Sequence, residues 1–126
     1  MNMQSKLIIS TTTELVRISP TKIVYISSDG NYSTLMQVDG ELRILSHQLG
    51  QIEKMIETQL RNDSNNFIRI GKSLIINRAY IYYINVAKQK LILSDAATFN
   101  YSVPASREAL KQLKINKWRN KKIRET

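Results

Sequence analysis

Side chains able to do chemistry concentrate in one short stretch, FIRIGKSLIIN (67–77). Phe67, Ile68 and Ile70 surround a charged Arg69, as in a strand, and the pattern then breaks at Gly71-Lys72-Ser73 before turning apolar again and ending on Asn77. A guanidinium, an ammonium and a hydroxyl at an interruption are groups that hold anions. Arg78 follows directly, and Arg107, Lys111, Lys114 and Lys117 lie further on. The spacing of the three lysines places them along one side of a helix. Arg107 stands where that helix begins, and there the free amides and the helix dipole already favour a phosphate oxygen. An arginine at such a point can also offer a two-pronged hydrogen bond to a guanine edge. Arg69 fits a phosphate contact and a salt bridge on a sheet face equally well.

Catalytic chemistry is poorly supplied. His47 is the only histidine and follows a candidate helix cap, the position of a surface residue rather than a base. The four glycines, 30, 40, 50 and 71, are isolated, so no glycine-rich phosphate loop exists. The ten carboxylates show neither metal-ligand spacing nor an acid–base pair, and there is no cysteine. The expectation is a protein without catalytic residues, metal, cofactor or small-molecule substrate.

Charge points to the partner. Nineteen Lys and Arg against ten Asp and Glu give +9 and a pI near 9.9, which attracts the chain to polyanions, either nucleic acid or an anionic membrane surface. Residues 105–126 carry eight of the basic side chains and two of the acidic ones. No run approaches the ~18–20 apolar residues of a membrane span, and the N-terminus lacks the apolar core of a secretory signal. A cytoplasmic location is expected.

Elements that could position these groups are mostly strands. Residues 6–10, 14–18, 21–28, 32–38 and 41–46 read as strands, with turn signals at Asp29-Gly30-Asn31 and Asp39-Gly40. Leu49, Ile52, Ile56 and Leu60 then recur at helical spacing, predicting a helix over about 47–60 with Ser46 as N-cap. RNDSNN (61–66) reads as a polar loop. Strands follow over 67–70, 80–86, 89–94 and 98–103, and a second helix spans about 106–116, with Ala109, Leu110 and Leu113 as its apolar stripe. One domain over residues 1–116 and a basic tail over 117–126 are expected. Trp118 in that tail packs on the body or stacks on a base.

FIRIGKSLIIN resembles the F-I-R-I-x-K/R-S-x-I-I/V-N signature of the LytTR family of bacterial DNA-binding domains. Four further segments resemble the family's other landmarks, in order: KIVYISSDGNYSTLMQVDGE (22–41), HQLGQIEKMI (47–56), INRAYIYYI (76–84) and LILSDAATFNYSVPASREALKQL (91–113). The resemblance covers about residues 5–114. It implies a mostly β fold of short-stranded sheets with the two helices, and a transcription regulator, related to two-component systems, that reads double-stranded DNA with loops rather than with a recognition helix. It also implies direct-repeat sites bound by pairs of molecules, a homodimer on DNA being one such arrangement. By position, base reading falls to Asn31, Tyr32, Lys72 and Arg107. Phosphate binding falls to Arg69, Ser73, Arg78, Lys111, Lys114 and Lys117, while Gly71 and Asn77 shape the site, Asn77 by bracing the turn. The family often keeps a histidine where Gly71 stands, and a glycine lets backbone approach DNA closely. A receiver domain, the family's common partner, needs about 120 more residues, so a stand-alone regulator or a segment of a longer protein is implied.

Two other readings compete. A small RNA or single-strand binder would use Tyr25, Tyr32, Tyr82, Tyr83 and Trp118 as stacking platforms. A protein-interaction module would pair its exposed edge strands with a partner.

Overall fold

A computed structural model describes residues 6–115. The chain divides into two compact units, residues 1–79 and 80–126. Among the described residues there are ten strands in three sheets and two α-helices, the mostly β architecture that the alternation of apolar residues predicts. None of the described helices is long and apolar enough to cross a membrane.

The first unit opens with an antiparallel pair, β1 (Leu7–Ser10) and β2 (Leu15–Ile18). A five-stranded antiparallel sheet follows, built from β3 (Ile23–Asp29), β4 (Tyr32–Gln37), β5 (Leu42–Leu45), β6 (Phe67–Ile70) and β7 (Leu74–Asn77), in the order β5-β4-β3-β7-β6. Its hairpins form where the backbone needs positive φ: Gly30 (+70°) closes β3–β4 and Gly40 (+88°) lies between β4 and β5, a conformation open to glycine at no steric cost.

Helix α1 (Leu49–Leu60) carries the chain from β5 to β6 and buries Leu49, Ile52, Ile56 and Leu60. These pack with Ile26, Leu35, Leu45 and Ile75 of the sheet and with Leu7, Ile9 and Ile18 of the first pair, forming the core of the unit. The helix starts two residues later than its periodicity suggests, and its cap is Gln48 rather than Ser46. The Gln51 side chain reaches back to accept the Gln48 N–H at 2.8 Å, so a glutamine pair does the work expected of the serine. Arg61–Asn66, read from its polarity as a loop, is a 3-10 turn with the Ser64 hydroxyl donating to Arg61 O at 2.7 Å.

β5, the strand that leads into α1, forms one edge of the sheet. Leu42 and Ile44 on it are 52% and 68% exposed.

In the second unit β8 (Ile81–Asn85), β9 (Lys90–Ser94) and β10 (Asn100–Pro104) form an antiparallel sheet in the order β10-β9-β8. Helix α2 is described over 107–115. Ser106 caps it, its hydroxyl accepting the Ala109 N–H at 3.1 Å. Leu110 and Leu113 are buried, as are Leu91, Leu93, Phe99 and Val103. The β9–β10 turn is tied by Asp95. Its carboxylate accepts the Thr98 hydroxyl and the amides of Ala97 (3.0 Å), Thr98 (2.7 Å) and Phe99 (3.1 Å). These bonds, the Thr98 hydroxyl first, hold the Asp95 carboxyl well below the usual carboxylate range.

Candidate nucleic-acid interface

Strand register decides which loops meet. Asp29 pairs with Tyr32 around the Gly30-Asn31 turn, and Ser27 pairs with Leu74 just after the Gly71–Ser73 turn. The Ser28 N–H donates to Ser73 O at 2.8 Å. Both turns therefore close the same end of the five-stranded sheet. Ser33 pairs with Leu45, and its hydroxyl donates to His47 O at 2.8 Å, so the segment entering α1 lies at that end too. Asn31, Tyr32, Lys72 and Ser73 are all exposed there. Residues forty positions apart in sequence thus share one rim.

Each member of the rim has a definite local setting. Gly71 has φ +61°, and a Cβ on it would meet nothing within 4 Å, so the turn needs glycine for its handedness rather than for space. The Asp29 carboxylate across the turn, as hydrogen-bond acceptor and as charge, pushes the Tyr32 pKa above the usual tyrosine value.

Arg69 forms a salt bridge, one of its two sequence readings. Its Nη1 donates to Glu53 Oε1 of α1 at 2.7 Å, and its Nη2 donates to Lys72 O at 3.0 Å. Its Nε is buried and has no partner among the described residues. The guanidinium is turned into the fold as a salt bridge, because β6 carries Arg69 on the sheet face that α1 covers, the face of its cross-strand partner Ile75.

Asn77 and Arg78 lie at the opposite end of β7 from Lys72. Asn77 is 3% exposed. Its Nδ2 donates to Ile23 O (2.9 Å) and Pro20 O (3.3 Å), and its Oδ1 accepts the Ala79 N–H (3.0 Å). The asparagine expected to brace the 71–73 turn instead locks the entry of β3 and the turn that leaves β7. Four residues of strand, at about 3.3 Å each, keep it away from the rim. Arg78 is half-buried beside it. His47, expected at the surface, is also half-buried, with Nδ1 out of solvent.

In the second unit Arg107 is exposed in the first turn of α2, and its Nη2 donates to Ala87 O in the β8–β9 turn at 3.3 Å. Lys111 and Lys114 are exposed on the same helix. Lys88 and Lys90, exposed around the β8–β9 turn, form with Arg107 a basic cluster missing from the sequence reading. The signal was present in VAKQK (86–90), two lysines at a hairpin turn. Lys117, Trp118 and the rest of the expected tail over 117–126 lie outside the described residues.

The rim and the start of α2 present donors and cations, the chemistry of phosphate and base-edge recognition. The family model described as the LytTr DNA-binding domain matches residues 13–118. A solved LytTr DNA-binding domain from Bacillus cereus, described as part of a methyl-accepting/DNA response regulator, superposes with a TM-score of 0.60. It is 18% identical, over 87% of this chain and 94% of that one. The curated proteins contain no match to the sequence.

Proposed function

This chain belongs to the LytTR family of DNA-binding domains, and on that premise we propose that it is a sequence-specific transcription regulator that reads major grooves of double-stranded DNA through loops. The observation that carries the reading is the convergence of the Gly30-Asn31 and Gly71–Ser73 turns on one sheet end, where Asn31, Tyr32, Lys72 and Ser73 stand exposed. Lys72 in the first unit and Arg107 in the second read base edges, Lys72 as a compact donor and Arg107 as a fork. Asn31 and Tyr32 add contacts beside Lys72. Ser73, Lys111 and Lys114 hold phosphates and set register. Pairs of molecules on direct repeats are the arrangement proposed, in the cytoplasm, without catalysis. The solved relative's description as a response regulator supports a place in signal-dependent transcription.

Selection of bound duplexes from a random library, at physiological salt, tests this. Wild type is expected to recover a defined sequence. Arg107→Ala is expected to relax one position, at a cost of about 1–3 kcal/mol for the preferred base. Lys72→Ala is expected to relax another. Unchanged sequence preference in both variants would remove the reader assignment, and stronger competition by single strands than by duplex would favour a single-strand binder.

A further inference from the structure

Lys72 is useful as a reader only if its turn is held in one shape, and the turn is held at two carbonyls. Ser73 O takes the Ser28 N–H from the neighbouring strand. Lys72 O takes Arg69 Nη2, and the same guanidinium is fixed through Nη1 to Glu53 on α1. The arginine is therefore a strut between the helix and the turn. We infer that Arg69 and Glu53 form a positioning pair, which sets the Lys72 turn for base reading without Arg69 touching DNA. This rests on the proposed DNA-reading role of Lys72.

Three observations separate a strut from a phosphate ligand. Two of the guanidinium's three nitrogens donate to acceptors of the protein itself, and the third is out of solvent. Its charge is met by a carboxylate at 2.7 Å, which a phosphate would have to displace. The side chains of Arg69 and Glu53 are only 29% and 38% exposed, whereas Lys72 and Ser73 are open to solvent. Hydrogen bonds that involve a charged group are about twice as strong as neutral ones, and pre-setting a loop lowers the ordering cost of binding. An acidic residue facing a DNA-binding arginine would weaken it; an acidic residue anchoring a strut strengthens the site. The two roles thus predict opposite signs for one substitution.

The test measures affinity across a salt series, using a duplex selected by wild type and a random-sequence duplex. Proteins are wild type, Arg69→Met, Glu53→Gln and Lys72→Ala, with melting curves for each. A strut predicts that Arg69→Met and Glu53→Gln each weaken the selected duplex about tenfold, or 1.4 kcal/mol. Their salt lines run parallel to wild type, and random-sequence binding hardly changes. A phosphate ligand predicts that Arg69→Met flattens the salt slope by about 0.9 and that Glu53→Gln tightens binding by freeing the arginine; either result overturns the inference. Unchanged affinity in both variants overturns it too. If Arg69→Met fails to fold, Glu53→Gln alone decides by its sign. Wild type without salt-dependent duplex binding, or Lys72→Ala without effect on the selected duplex, would instead overturn the DNA-reading role, and the strut's purpose with it.

Discussion

Asn77 shows how much a single side chain can organise away from the rim of exposed turns. It is buried and spends both ends of its amide on backbone, with two carbonyls on one side and one amide on the other. Asn77→Ala strands those groups in the interior at about 1–3 kcal/mol for an unsatisfied group, so a loss of about 2–3 kcal/mol is expected in urea unfolding. Duplex affinity at temperatures where the variant is folded should change little, since the residue sits a strand's length from Lys72. An asparagine at the end of a signature is visible in the sequence, but the turn it braces is not, because Pro20 and Ile23 lie more than fifty positions away. Arg69 teaches the same lesson. Its charge and its place on a strand are legible, whereas its partner Glu53 is chosen by how α1 crosses the sheet.

Elements were easier to read than partners, because each carries a local cause. Strands β3, β4 and β5 follow from alternation broken at Asp29-Gly30 and Asp39-Gly40, and α1 follows from four apolar residues on one face. Its cap escaped because a Gln48–Gln51 pair replaces the serine that composition favours. The β9–β10 turn gives a prediction at this scale. Asp95 folds the turn as a carboxylate, with its pKa lowered by the Thr98 hydroxyl and the three amides. A lowered pKa contributes stability above the ordinary aspartate value of about 3.9, and that contribution is lost as pH falls through and below it. Urea midpoints of wild type and Asp95→Asn should therefore differ most near neutral pH and draw together below about pH 4. A gap independent of pH would show that the turn needs the side chain's shape and not its charge.

For the molecule as a whole, the family was legible because its landmarks recur in order along nearly the full chain, across both units. The excess of basic residues has two effects. It draws the chain to polyanions, and it keeps copies of the chain apart through mutual repulsion. The second effect matters because of β5, whose edge carries the exposed Leu42 and Ile44. An open apolar edge is a template on which another chain can add a strand, and salt screens the repulsion that guards it. Light scattering by concentrated wild-type protein should thus rise with ionic strength, and Ile44→Lys should suppress the rise while leaving the melting temperature and duplex preference unchanged. Equal scattering by the two proteins would clear β5 of blame. Shelf life and DNA release then pull in opposite directions: the brine that strips DNA from this protein is also the one in which its bare edge most readily finds another copy.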